Sequence, residues 1–115
     1  MHEVSLVHAL FDQVDRAIAP HPSSAARLLT VRIGELAGVE TELFRTAFAG
    51  CKAERGYQAA TLEIEPEAAE WRCTECGARF PVGVALQCTR CAGVARLFAG
   101  GDIVLARVEL EVVDV

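Results

Sequence analysis

The stretch CTEC at residues 73–76, followed after eleven intervening residues by CTRC at residues 88–91, decides how this chain is organised. Two residues between cysteines let both sulfurs of a tight turn face one ion, and two such pairs complete the tetrahedron that zinc accepts. Four thiolates leave no position for water or substrate. The sequence therefore predicts a structural zinc ion held by Cys73, Cys76, Cys88 and Cys91.

Other uses of these cysteines remain open at this point. The N-terminus lacks the basic and apolar regions of a secretory signal, so we expect a cytoplasmic protein, in which this spacing favours metal over disulfides. Iron on the same four sulfurs would make a rubredoxin-like electron carrier, and the spacing alone does not exclude it. A redox dithiol is disfavoured by the presence of two symmetric pairs. The fifth cysteine, Cys51, is expected to be a buried, inert thiol on a helix.

Hydrophobic periodicity outward from the cysteines predicts two helices and three strands. We expect helices over residues 4–18 and 41–51, the second with Leu43 on its apolar stripe, and strands over 27–33, 61–65 (closed by Pro66) and 103–113. The last strand should return to the first sheet. The predicted fold is a small α/β (α+β) domain, with two helices on a short β-sheet, built from residues 1–66 plus 103–115. A zinc-ribbon-like lobe over residues 67–102 is inserted into it, and its small size requires a metal staple.

Composition restricts the function. The 115 residues carry a formal net charge of −5, so the chain as a whole does not attract a nucleic-acid backbone, and no apolar run is long enough to span a membrane. We expect neither nucleic acid nor membrane as a partner. The alternative is a zinc-ribbon module that binds nucleic acid or protein, because the lobe contains four arginines: Arg72, Arg79, Arg90 and Arg96. We favour a solvated face for them, since a zinc tetrathiolate is itself doubly negative.

The chain begins Met1-His2-Glu3, which can form a second metal site. The free α-amine, the intervening backbone nitrogen and the imidazole of His2 place nitrogen donors in one plane, an arrangement that suits Ni(II) or Cu(II). Glu3 could add an oxygen or a further backbone nitrogen. Taken alone, the tripeptide is more often an ordinary solvated N-terminus. His8, six residues from His2, and His21, in a Pro/Ser loop, are not expected to be ligands.

Three motifs in order carry a family resemblance. They are MHEVSL at residues 1–6, VRIGELAGVE at 31–40, and LEIE at 62–65 ahead of the two cysteine pairs. Together they resemble the HypA/HybF family of hydrogenase maturation nickel metallochaperones over essentially the whole length. Two departures concern the shape of the zinc hairpin: the gap between the pairs is short for the family, and Thr89 stands where the family has proline.

The resemblance implies a function without catalysis. Ni(II) would be a transient cargo bound by Met1, His2 and Glu3, while structural Zn(II) is held by the four paired cysteines. The implied partners are a nickel-insertion GTPase, the large subunit of [NiFe]-hydrogenase and, in some organisms, urease maturation proteins. The chain would then be a metal-binding maturation protein and not an enzyme.

Overall fold

The structure, a computed structural model, describes residues 2–80, 87–88 and 90–112. The elements in these ranges are α1 (His2–Ile18), β1 (Ser24–Gly34), α2 (Thr41–Cys51), β2 (Thr61–Glu67), β3 (Glu70–Cys73), β4 (Arg79–Phe80), β5 (Ala95–Ala99) and β6 (Ile103–Val112). One sheet has the strand order β2-β1-β6 and the other β4-β3-β5. The predicted α/β fold with two helices and a cysteine-rich insertion is confirmed, and the last strand returns to the first sheet.

Packing divides the chain into two compact units. The first comprises Met1–Arg32, Val39–Glu65 and Val104–Val115, and the second comprises Ile33–Gly38 and Pro66–Ile103. The domain boundaries drawn from the sequence stay a prediction. The second unit includes one short segment that lies far from it in sequence, Ile33–Gly38.

The first unit has an apolar core between its helices and β1. Helix α1 is amphipathic because its apolar residues recur at helical spacing, and its buried side chains are Val7, Leu10, Phe11 and Val14. Phe11 stacks on Phe48 of α2 and on Tyr57, with ring centroids 5.3 and 5.2 Å apart. Leu29 and Val31 of β1 are fully buried. This core gives α1, and therefore the N-terminus of the chain, a fixed support.

Three details differ from the sequence predictions. Helix α1 begins at His2 rather than at residue 4, so two of the predicted nickel ligands lie in its first turn. Strand β2 continues through Pro66 to Glu67, which is possible because β2 is at the edge of its sheet, where proline need not donate a hydrogen bond. Leu43, predicted to lie on the apolar stripe of α2, is exposed.

The segment Ile33–Gly38 is bound tightly within the second unit. The backbone N–H groups of Gly34, Glu35 and Leu36 donate to Asp102, Glu67 and Gly100, each at 2.8 Å, and the Glu35 carboxylate accepts from the Ala69 N–H at 3.0 Å. A Cβ on Gly34 would lie 2.2 Å from the carbonyl carbon of Gly100, closer than any side chain tolerates. Glycine is therefore required at position 34 by a close approach of two backbones.

Candidate metal centre

Each cysteine pair lies in a turn of the same construction. In the first, the Gly77 N–H donates to the Cys73 carbonyl at 3.1 Å, and the Cys73 N–H donates back to Ala78 at 2.9 Å. In the second, the Ala92 N–H donates to Cys88 at 2.9 Å, and the Cys88 N–H donates to Gly93 at 2.8 Å. The first cysteine of each pair is buried and the second is exposed. The two turns therefore share one hydrogen-bond pattern and the same order of a buried cysteine followed by an exposed one.

The glycines of the two turns serve different needs. Gly77 follows its pair directly and adopts a φ of 75°, which glycine takes without strain. In the second turn the equivalent residue is Ala92, which adopts a φ of 62° in spite of its Cβ. The glycine comes one place later because a Cβ on Gly93 would lie 2.7 Å from Cγ of Glu75 and 2.9 Å from Sγ of Cys73. Close packing of the two turns therefore requires glycine at position 93, one residue after the position that Gly77 occupies in the first turn.

The four sulfurs converge. Their Sγ atoms all lie within 4.8 Å of one another, with 3.4 Å between Cys73 and Cys91 and 3.7 Å between Cys76 and Cys88. These separations are much longer than the bond of about 2.05 Å in a disulfide. They are close to the roughly 3.8 Å between two sulfurs bound to one zinc ion at about 2.3 Å in a tetrahedron.

Backbone N–H groups prepare these sulfurs for a cation. The Cys76 N–H and then the Glu75 N–H point at Sγ of Cys73 and lower the pKa of that thiol to about 6. The N–H groups of Cys91 and Arg90 likewise lower the pKa of the Cys88 thiol. For Cys91, the Gly93 N–H lowers the pKa, but the neighbouring Cys73 and Cys76 sulfurs outweigh it and raise the pKa to about 12. Thiolates so close together repel one another unless a cation lies between them.

The donor set fits zinc. Four convergent sulfurs, two of them buried, provide a closed tetrahedral sphere with no room for a reacting ligand. The four clustered cysteines therefore form a zinc-ribbon-like centre that fits a structural zinc site. Bound zinc would supply cohesion to the second unit and no reactive chemistry.

The predicted N-terminal site is described only in part, because Met1 lies outside the described residues. His2 and Glu3 are in the first turn of α1, and the His2 side chain is 59% exposed. Nδ1 of His2 lies 3.6 Å from Oε2 of Glu3, and the same oxygen accepts from the Glu40 N–H at 3.4 Å. Hydrogen bonds from the backbone N–H groups of Glu3 and Glu40 lower the pKa of the Glu3 carboxyl, as does the His2 imidazole.

The contact between Glu3 and Glu40 was not predicted. Glu40 is the N-cap residue of α2, where its own carboxylate accepts from the Glu42 N–H at 3.4 Å. The two glutamates are 37 residues apart, and no spacing rule connects them. A glutamate directly before a predicted helix was the only available signal, and it indicates a cap rather than a partner for Glu3.

Cys51 was expected to be buried, and this expectation was wrong. The residue is half-buried at the end of α2, and its Sγ lies 3.9 Å from Nε2 of His8 on α1. On its other side, the His8 ring accepts from Arg55 through Nδ1 at 3.1 Å. An arginine can only donate, so Nδ1 of His8 carries no proton in this contact. His8 therefore packs with Cys51 and Arg55. That His8 is not a metal ligand stays a prediction.

Within the part of the chain that the structure describes, neither helix is long and apolar enough to cross a membrane. In the residues that the structure describes, two helices and two small sheets with a four-cysteine zinc-ribbon-like centre define a class of small metal-binding protein.

Comparison with known proteins identifies the family. The family profile described as "Hydrogenase/urease nickel incorporation, metallochaperone, hypA" matches residues 1–110. The hydrogenase maturation factor HypA of Shewanella halifaxensis is 33% identical over 113 residues, covering 96% of this chain and 98% of that protein. HypA of Nitrosospira multiformis is 33% identical over 112 residues, covering 96% and 97%. The chain belongs to the HypA family of hydrogenase/urease nickel-incorporation metallochaperones.

Solved structures agree on the fold. The solution structure described as "HypA protein" superposes with a TM-score of 0.79 at 24% identity, covering 97% of this chain and 98% of that one. The solution structure of the Ni metallochaperone HypA from Helicobacter pylori superposes with a TM-score of 0.69 at 23% identity, covering 96% and 97%. Because both identities are low, these likenesses support the fold alone.

Proposed function

We propose that this chain is a nickel metallochaperone that binds Ni(II) at Met1, His2 and Glu3 and delivers it for insertion into the large subunit of [NiFe]-hydrogenase. Zinc held by Cys73, Cys76, Cys88 and Cys91 is structural. The observation that carries the proposal is membership of the HypA family over residues 1–110, which include the N-terminal tripeptide. The chain works in the cytoplasm, performs no catalysis, and acts with a nickel-insertion GTPase and, in some organisms, with urease maturation proteins.

The first turn of α1 supports an N-terminal nickel site. The first N–H groups of a helix have no partner within it, so the amide nitrogens of His2 and Glu3 are not committed to the helical ladder. Ni(II) that replaces the amide proton of His2 would therefore break no helical hydrogen bond. The exposed imidazole then completes a planar set with the α-amine and this amide nitrogen.

Glu3 has a different role from His2 in this proposal. Its carboxylate is held by the Glu40 N–H and is much less exposed than His2, with 17% of its side chain accessible. This geometry favours Glu3 as the residue that fixes the N-terminal turn and offers a backbone nitrogen, rather than as an oxygen ligand. An exposed, nitrogen-rich site suits delivery, since an acceptor can reach the ion and exchange ligands.

The test is a calorimetric titration of Ni(II) into zinc-loaded protein with an untagged N-terminus. We expect one nickel ion per chain for the wild type, and loss of that binding in His2→Gln with zinc retained. Glutamine is preferred to alanine because a small second residue invites removal of Met1. His21→Gln is the matched control, since His21 is an exposed histidine in a loop. Equal binding by wild type and His2→Gln would refute the site.

Protons should compete with nickel at this site. The α-amine and imidazole groups of peptides ordinarily lose their protons near pH 8 and 6.5, and both must do so to bind a metal. We expect the nickel affinity to fall steeply as the pH drops from about 8 to about 6. One extra glycine before Met1 should abolish binding, because it moves the α-amine out of the chelate. A flat pH response, or full binding by the extended chain, would exclude these ligands.

A further inference from the structure

A polar cluster in the first unit joins α1, the end of α2 and the chain that follows α2. Sγ of Cys51 lies 3.9 Å from Nε2 of His8, and Nη1 of Arg55 lies 3.1 Å from the other ring nitrogen, Nδ1. Nη2 of Arg55 donates to Oδ1 of Asp12 at 2.8 Å and to Oδ2 of Asp15 at 3.1 Å. A thiol, an imidazole and a guanidinium are therefore in contact in that order, and two carboxylates of α1 hold the guanidinium in place.

The guanidinium decides which ring nitrogen of His8 carries the proton. Its hydrogen bonds to Asp12 and Asp15 raise the pKa of Arg55, so this side chain is always a charged donor. Nδ1 of His8 must then accept, and the proton of the neutral ring is on Nε2. Nε2 is the atom that faces Sγ of Cys51. The ring therefore donates a weak N–H···S hydrogen bond to the sulfur.

Cys51 is also the one cysteine of the five that lies outside the cluster of converging sulfurs. Zinc on the other four would occupy their sulfur lone pairs, whereas Cys51 is half-buried and keeps its thiol. The ammonium of the neighbouring Lys52 donates to the Ala60 carbonyl at 3.2 Å, so it is directed away from the sulfur. In the zinc-loaded chain, Cys51 is therefore the thiol that a small reagent can reach, with the N–H of His8 beside it.

We propose that Cys51 is a site of reversible oxidation by a hydroperoxide, and that His8 is a positioning residue for the oxidised sulfur. The sulfur electron pair attacks one oxygen of hydrogen peroxide and the O–O bond breaks, so the thiol becomes a sulfenic acid and the peroxide is reduced to water. The thiol proton leaves to solvent, and the departing hydroxide takes a proton from solvent. Nε2–H of His8 then donates to the new oxygen. Two molecules of a small thiol restore Cys51, the first forming a mixed disulfide with loss of water and the second displacing it. This inference does not depend on the nickel site.

The position of the ring proton disfavours a metal ion between Cys51 and His8. Nε2 can bind a metal only through a free lone pair, so the ring proton would have to move to Nδ1. Two N–H donors, one from the ring and one from Arg55, would then face each other at 3.1 Å. The guanidinium charge would also repel a cation. A reaction at the sulfur requires neither change, so the cluster fits a modified thiol better than a metal site.

The probe is hydrogen peroxide, added to the zinc-loaded full-length chain together with dimedone, which traps sulfenic acids, and the products are mapped by mass spectrometry. We expect one dimedone adduct per chain, on Cys51, with zinc retained, and no adduct in Cys51→Ser. Without dimedone, a small thiol added after the peroxide should return the unmodified mass. Absence of an adduct on Cys51, or release of zinc before Cys51 reacts, would overturn the proposal.

Variants of His8 separate the hydrogen bond from simple exposure of the sulfur. His8→Leu removes the donor and should slow oxidation of Cys51 about threefold to tenfold. His8→Gln keeps an N–H donor and should restore most of the rate, while His21→Gln, at an exposed histidine in a loop, should leave it unchanged. Nitrogen NMR of the His8 ring should show the proton on Nε2. Equal rates for wild type and His8→Leu, or a proton on Nδ1, would refute the role of His8. Uptake of a second zinc ion that is lost in Cys51→Ser would identify a metal site instead.

Discussion

The two units of this protein are stabilised by different means. Of the residues that the structure describes, the largest fully buried side chains all belong to the first unit: Phe11, Phe44, Leu29, Val7, Val14 and Val31. Among the described residues of the second unit, the buried apolar residues are small, apart from Ile33, and two of them are the cysteines Cys73 and Cys88. The first unit is held together by an apolar core, whereas the described part of the second unit contributes convergent sulfurs and close backbone contacts.

This difference assigns the metals different tasks. A unit with its own core does not need an ion to fold, so its N-terminus is free to bind and release one. A small unit whose four cysteines converge on one site gains folding free energy from the ion and should retain it. This contrast is consistent with the proposal that the chain holds zinc permanently and nickel in transit. The predictions below test this contrast from the largest expected effect to the smallest.

Removal of one zinc ligand should have the largest effect. Cys76→Ser replaces an exposed member of the cluster, so it leaves no new polar group in a core. Structural zinc sites contribute about 10–16 kcal/mol of folding free energy, and we expect zinc binding and the fold of the second unit to be lost together. Trp71, the single tryptophan, lies in β3, so its fluorescence reports this unit, while far-UV circular dichroism reports α1 and α2.

Cys51→Ser is the matched control, since Cys51 lies outside the cluster. It should retain one zinc ion per chain and the wild-type fluorescence. In Cys76→Ser the helical signal should persist, because the core of the first unit contains no metal ligand of the cluster. Persistence of the second unit without zinc would break the contrast between the two units.

Gly34→Ala should have the next largest effect. A Cβ at this position would overlap the backbone of Gly100 at 2.2 Å, and backbone cannot move aside as a flexible side chain can. We expect the free energy of unfolding, followed by Trp71 fluorescence, to fall by about 2–3 kcal/mol. Gly50→Ala is the matched control: it lies in α2 with open space around it and should stabilise the helix by about 0.5–1 kcal/mol. Equal effects would contradict the close approach.

Features that depend on residues close together in the sequence could be predicted, and features that depend on residues far apart in the sequence could not. The cysteine spacing and the helical and strand periodicities are local patterns, so the fold and the converging sulfurs could be predicted. The packing of Gly34 on Gly100 and the contact between Glu3 and Glu40 join residues distant in sequence. No local pattern contains them. The exposure of Leu43 and the continuation of β2 through Pro66 likewise depend on the final packing.

Ala92→Gly should stabilise the second unit slightly. Ala92 has a φ of 62°, which costs a residue with a Cβ about 1–2 kcal/mol relative to glycine. Glycine adds disorder to the unfolded chain, so the net gain in the free energy of unfolding should be about 0.5–1 kcal/mol. The mirror substitution, Gly77→Ala, imposes the same strain on the first turn and, after the same entropic offset, should destabilise the unit by about 0.5–1 kcal/mol. A destabilising Ala92→Gly, or a stabilising Gly77→Ala, would show that the two turns do not share this backbone conformation.

An effect of similar small size, seen only at high pH, concerns a polar contact in the first unit. Burial, and then the hydrogen bond that its hydroxyl donates to Asp15, raise the pKa of Tyr57. Because the folded state favours the protonated phenol, this contribution to stability is complete below about pH 10, the usual value for tyrosine, and is lost as the pH rises above it. We expect the stability of wild type relative to Tyr57→Phe to fall by about 1 kcal/mol between about pH 9 and pH 11.

Tyr57 is the only tyrosine, so ultraviolet absorbance reports its ionisation directly. The native chain should titrate at higher pH than the chain in denaturant, and Asp15→Asn should lower the native midpoint, because it removes the negative charge beside the phenol. A native midpoint near 10 would mean that Tyr57 is open to solvent. The stacked rings of Phe11 and Tyr57 would then not form one packed core, and the contrast between the two units would be weaker.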